Sequence, residues 1–169
     1  KTKLAAAARG ILEPDEIARL VRKATSKSTD ERWTTADLGV IDEVVDRLAA
    51  RADVDSEIAP LLLDQQVAAG IGNVFKSEVL WAGRVSPFAK VRDLDVETRR
   101  RLVTIAARQL RANVLSPGER STLPWGGLAV YGRRGQPCRR CGTPIDQRLQ
   151  GEDPRVTYWC PLCQPEVAA

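Results

Sequence analysis

The chain of 169 residues contains no histidine and no methionine. Lack of imidazole excludes histidine acid–base catalysis and histidine metal ligands. Lack of methionine, in a chain that opens at Lys1, points to a fragment missing its N-terminus or to a processed product. Long apolar runs are missing too. No stretch approaches the roughly 20 residues an apolar helix needs to cross a bilayer, and LAAAA at 4–8 is too short and poorly flanked for a signal peptide. The expected setting is cytoplasmic, with no membrane partner. Acids are scarce in one half only. Asp37, Asp42, Glu43, Asp46, Asp53, Asp55 and Glu57 dominate from Asp30 to Asp64, whereas arginines dominate from Arg84 onward, within a net charge of +4. A basic C-terminal part suits a polyanion or a solvated cationic face.

What is present reads as helices followed by a small β module. Residues 1–30 form an N-terminal helical segment or linker: an Ala-rich stretch ends at Gly10, and Pro14-Asp15-Glu16 is a helix-start signal. Thr34 or Thr35, with Asp37, approximates a capping box. Leu38, Ile41, Val44, Val45, Leu48 and Ala52 follow at helical spacing as a buried stripe. Asp95 is the expected cap of a long helix reaching about Val114, with Leu102, Ile105, Ala106 and Leu110 inward. Arg99-Arg100-Arg101 would sit near its N-terminal end, where the dipole disfavours cations. A nearby phosphate would account for them, as would plain solvation.

Residues 61–83, LLLDQQVAAGIGNVFKSEVLWAG, are the centre of the chain. The spacing predicts a helix opened by Pro60 and stopping at Gly70, a turn through Ile71-Gly72-Asn73, and a second helix with Val74, Phe75, Val79 and Leu80 on one face. Gly70 suits a left-handed cap, and Gly72 allows close approach to the backbone. Asn73 stands at a helix N-terminus, where amides and dipole favour an anion. A tight corner in a helical core is the alternative. The expected domain limits are 31–117 for the helical part and 118–169 for a loop and metal module, with a strand-like pattern from Leu128.

Every cysteine lies in one of two knuckles, Cys138-x-x-Cys141 and Cys160-x-x-Cys163, separated by 18 residues. This spacing fits four thiolates on one structural zinc ion. Two disulfides or a redox pair are the alternatives. A closed four-thiolate site does not catalyse, and in so short a segment metal binding supplies much of the folding energy. Val156-Thr-Tyr-Trp159 is the expected strand before the second knuckle.

Together, LLLDQQVAAGIGNVFKSEVLW, VYGRRGQPCRRCGTPI and RVTYWCPLCQP resemble the C-terminal half of the formamidopyrimidine-DNA glycosylase / endonuclease VIII family. The likeness covers about residues 36–165, and none is found for 1–30. It implies a mainly α fold: a helix-two-turn-helix bundle followed by a β-hairpin zinc finger. It further implies that Gly72, Asn73 and Arg155 contact DNA phosphates beside a flipped-out nucleotide, and that Cys138, Cys141, Cys160 and Cys163 hold zinc. The implied partner is damaged double-stranded DNA, with no small-molecule cofactor beyond zinc.

The family's nucleophile is an N-terminal proline amine assisted by a glutamate, and Lys1-Thr2-Lys3 matches neither. No residue is therefore assigned a catalytic role, and this chain alone is expected to lack the parent family's glycosylase and AP lyase activity. The compact 116–129 loop leans toward oxidised pyrimidines as lesions. A natural non-catalytic nucleic-acid-binding module and a zinc-ribbon protein for protein partners are the competing readings.

Overall fold

The computed structural model describes residues 35–51, 55–115, 121–123 and 126–166. The expected helix from Pro14 and the Thr34–Asp37 capping box lie outside the residues or side chains described. The described residues fall in one compact unit, Thr35–Ala169. Its helices are α1 (Thr35–Ala50), α2 (Ile58–Leu63), α3 (Asn73–Gly83) and α4 (Val96–Leu115), with a 3-10 turn at Val91–Asp93. Strands β1 (Asp146–Gln150) and β2 (Arg155–Trp159) pair antiparallel, Gln150 opposite Arg155 and Asp146 opposite Trp159. The fold is mainly α with a terminal hairpin, as expected. No described helix is long and apolar enough to cross a membrane.

The apolar stripe of α1 is buried at Ile41, Val45 and Leu48, although Leu38 is left exposed. Leu102, Val103 and Ala106 bury the facing side of α4. Asp95 caps α4 as expected, its Oδ1 accepting the Thr98 N–H at 2.6 Å. Two of the three arginines after it are spent within the fold. Arg100 pairs with Asp42 of α1 at 2.6 Å, and Arg101 donates to the Gly83 carbonyl at 3.1 Å. That contact needs close helices: a Cβ on Gly83 would come within 2.5 Å of Leu102 Cδ2.

The central stretch differs from its periodicity. Its first helix begins at Ile58, ahead of Pro60, and stops at Leu63 rather than Gly70. Side chains end it. Asp64 Oδ1 accepts the Gln66 N–H at 2.8 Å, a local bond that competes with helical pairing. Gln65 then staples the turns. Its Nε2 donates to the carbonyls of Leu63 and Ile71, both at 3.0 Å, and its Oε1 accepts the Gly70 N–H at 3.0 Å. Gly70 is left-handed, φ +92°, but closes this turn instead of capping a helix.

Residues 85–89 are buried. They satisfy the otherwise orphan donors of α2, since Ile58 N–H reaches Ala89 O at 2.9 Å and Ala59 N–H reaches Pro87 O at 3.4 Å. The strand-like pattern expected from Leu128 is also corrected: no named strand starts before Asp146 among the described residues. The amides of residues 129–131 bond to the Glu78 carboxylate, and residues 135–145 close on one another through backbone bonds about an isolated bridge between Pro137 and Pro144, so no extended ladder forms.

Candidate nucleic-acid interface and metal centre

Helix α3 is the axis of the site. Phe75, Val79, Leu80 and Trp81 are buried, and so are Lys76, Ser77 and Glu78 between them. A helix buried on its polar positions too must find partners for them, and here the zinc module supplies them. Asn73 Nδ2 donates to Val156 O at 3.0 Å. Lys76 Nζ donates to the same carbonyl at 3.3 Å and to Thr157 Oγ1 at 2.8 Å. Ser77 Oγ accepts the Tyr158 N–H at 3.4 Å.

The Glu78 carboxylate accepts the amides of Ala129 and Val130 at 2.8 Å and of Tyr131 at 2.9 Å, together with the Thr122 hydroxyl. Burial, reinforced by the neighbouring Arg155 guanidinium, lowers Lys76 to about 8.

Gly72 is the N-cap of α3, extended at φ −97°, and Asn73 is the first helical residue. A Cβ on Gly72 would meet nothing within 4 Å, so the space before this helix end is open. Arg155 opens β2, exposed and paired with Asp153. The fold brings Gly72, Asn73 and Arg155 to one groove of about 760 Å³. Asp55, Glu57, Asp64, Glu152 and Asp153 line the same groove, against the cations Lys90 and Arg155. Positive potential is therefore confined to a few points. Asn73 Oδ1 is buried without a partner in the protein.

Most other C-terminal arginines hold the fold together. Arg133 binds the carbonyls of Ala129 and Pro137, and burial lowers its pKa. Arg139 donates to Leu128 O at 3.2 Å. Arg148 stacks 3.3 Å over the Phe88 ring.

The four cysteines converge. Their Sγ atoms all lie within 4.8 Å of one another, with Cys138–Cys163 at 4.0 Å and Cys141–Cys160 at 3.4 Å. Four ligands at zinc–thiolate bond length would sit about 3.8 Å apart at tetrahedral vertices. The set fits one zinc ion, and all four cysteines are free of disulfides. Backbone and indole donors already face the sulfurs. Arg140 N–H and Trp81 Nε1–H each lie 3.4 Å from Cys138 Sγ, and Cys163 N–H lies 3.5 Å from Cys160 Sγ. Hydrogen bonds from Thr143 lower the Cys141 thiol to about 6, whereas burial raises Cys160 to about 12.

Gln164 closes the second knuckle, its Oε1 accepting the Cys160 N–H at 3.0 Å and its Nε2 donating to Val85 O at 2.9 Å. The metal would organise ligands without an open position for chemistry.

Sequence reasoning missed Lys76, Glu78, Trp81 and Gln164 as site-building residues. Lys76 and Glu78 sit at positions that a periodic pattern assigns to solvent. Only the unusual density of polar residues inside an otherwise central helix could have flagged them.

Residues 38–123 match the family model of the formamidopyrimidine-DNA glycosylase H2TH domain. Residues 135–165 match that of the zinc finger found in FPG and IleRS. A probable endonuclease 8 2 from Streptomyces coelicolor is 44% identical over 117 residues, which are 68% of this chain and 42% of the relative. The crystal structure of the MutM (Fpg) protein from Thermus thermophilus superposes with a TM-score of 0.63 at 36% identity, covering 76% of this chain and 51% of that one. Lactococcus lactis Fpg, in complex with DNA containing an oxidised pyrimidine, gives 0.62 at 29% identity and covers 75% of this chain and 47% of that one. The chain spans about half the length of the curated relatives it matches. With both models matched in order on the fold described, the chain belongs to the formamidopyrimidine-DNA glycosylase / endonuclease VIII family.

Proposed function

We propose that this chain is the DNA-gripping half of a bifunctional DNA glycosylase/AP lyase of base-excision repair, binding damaged double-stranded DNA through its phosphates. The observation that carries the reading is the convergence of Gly72, Asn73 and Arg155 on one groove. A phosphate seated there would meet the positive end of α3, the Asn73 amide and the Arg155 guanidinium, while the bare Gly72 leaves room for its oxygens. The acidic lining elsewhere repels phosphates, so the strand is held at this point rather than along a broad basic track. An enzyme that acts on a base must rotate it out of the stack, and a firm hold on the backbone beside the lesion stabilises that distorted state.

The chemistry is assigned to no residue between 35 and 166. Oxidised bases are the proposed lesions, with a lean to oxidised pyrimidines, supported by the short 116–129 sequence and by the likeness to the Lactococcus lactis Fpg solved with DNA containing an oxidised pyrimidine.

The test is binding to a short duplex carrying a stable abasic-site analogue, beside the undamaged duplex, over a range of salt. Tighter binding to the abasic duplex, weakening as salt rises, is expected. Absence of binding to either duplex would refute the reading. A thymine-glycol duplex set against an 8-oxoguanine duplex tests the lesion preference separately.

A further inference from the structure

We propose that Trp81 is a positioning residue of the zinc centre: its indole N–H orients the Cys138 thiolate and ties that ligand to helix α3. Both residues are buried, Trp81 at 8% exposure and Cys138 at 4%, and Nε1 lies 3.4 Å from Sγ. An indole can donate but cannot accept, so the polarity of this contact is set: the sulfur must be the acceptor. A thiolate at this position is sheltered from water, and four thiolates on one zinc ion leave a net charge of −2. Donors from the surrounding shell then do what solvent does for an exposed sulfur, dispersing charge and fixing the direction of the lone pairs.

The tryptophan is itself held rigidly. Arg140, from the same knuckle as Cys138, stacks 4.0 Å from the centre of its ring and donates to the Trp81 carbonyl at 3.1 Å. The Arg140 amide supplies the second N–H to Cys138 Sγ at 3.4 Å. Around this pair, Ala129, Val130, Ile145 and Cys160 complete one small apolar core. The first knuckle therefore closes on the C-terminal part of the helix whose first residue is Asn73. Trp81, which orients the zinc ligand, and the groove residue Asn73 ride on one rigid element, about 12 Å apart at helical rise.

The experiment uses Trp81→Phe in the full chain, loaded with Co²⁺ in place of zinc. Phe retains a ring for Arg140 and deletes the donor. The thiolate-to-cobalt charge-transfer band is expected to move to longer wavelength, because a sulfur relieved of a hydrogen bond gives up electron density more readily. Zinc affinity, read by competition with a chromogenic chelator, is expected to fall about tenfold. A benzothienylalanine at position 81, which replaces the ring N–H by sulfur while keeping the indole shape, should reproduce both effects if Trp81→Phe folds poorly. Lowered affinity with an unmoved band would assign the effect to packing and overturn the proposal. An unchanged band with unchanged affinity would overturn it as well.

Discussion

The side-chain amide of Asn73 donates to the carbonyl of Val156 at 3.0 Å, joining the first residue of α3 to the second residue of β2. The residue proposed to meet phosphate is thus held by the strand that carries Arg155. Asn73→Ala should cost DNA affinity in two ways, through the lost amide and through a looser Arg155. We expect a loss of about tenfold or more, near 1.4 kcal/mol, with the helical signal preserved. Fluorescence anisotropy on an abasic duplex, alongside circular dichroism, measures both. Wild-type affinity in the variant would remove Asn73 from the interface.

Arg155 is already paired with Asp153, and both side chains are exposed. A DNA phosphate must replace that carboxylate. Asp153→Asn should therefore tighten DNA binding by a few fold at low salt, while Arg155→Ala should weaken it and flatten the salt dependence. The pair contributes little to stability, because exposed ion pairs are worth no more than about 1 kcal/mol. Equal affinities for the Asp153 variant and the parent, measured at low salt, would show that the contact does not compete.

Glu78 accepts three consecutive backbone amides of the loop before the first knuckle. Glu78→Ala would leave those donors buried and unpaired. A loss of about 2–4 kcal/mol is expected by urea denaturation of the zinc-loaded protein. Glu78→Gln, which can pair with fewer donors, should lie between. If Ala were tolerated, the loop would have another source of order.

Lys76 provides a pH signature. Its folded value of about 8 lies below the ordinary lysine value. At pH below both values each state carries the proton, and burial of the ammonium weighs on the fold. Between about 8 and the ordinary value of about 10.4 the unfolded chain binds more protons, so this group's contribution to stability rises with pH. Lys76→Met should remove that rise. The melting temperature of the parent should gain on that of the variant as pH rises from 7 to 10, on top of a constant offset from the lost bonds to Val156 O and Thr157 Oγ1. Parallel curves would mean that Lys76 titrates normally.

Chelation of zinc should open residues 128–165 first while α1 and α4 keep their amide protection. The end of α3 should loosen with the module, since Trp81 shares its core with Cys138, Ile145 and Cys160. Hydrogen exchange followed by mass spectrometry distinguishes this from global unfolding. Loss of protection across α1 would show a single cooperative unit that depends on the metal.

The sequence by itself determined the features that rest on local rules. Cysteine spacing specified the four-thiolate site, apolar spacing specified α1 and α4, and Asp95 specified a cap that the fold uses. Asn73 was legible as a helix N-terminus that favours an anion, whereas its partnership with Arg155 came from the motif resemblance, because nothing local in either stretch says that they meet. The tertiary structure alone decided what surrounds α3. Lys76 and Glu78 look like a solvent face beside Val79 and Leu80, yet the hairpin covers Lys76 and the loop at 129–131 covers Glu78.

Periodicity reports one buried face, and it fails on a helix enclosed from several directions, whose polar groups are satisfied by partners as far as 83 residues away in the chain. The early stop of α2 was obscured for a related reason. Leu61, Leu62, Leu63, Val67 and Ala68 keep a helical rhythm, but the bonds that end the helix come from Asp64, which turns locally onto Gln66, and from Gln65, whose side chain closes its turns only once Gly70 and Ile71 have folded back over it. Local propensity is written residue by residue. The competition between a side chain and the backbone for the same hydrogen bond is settled only when distant atoms arrive.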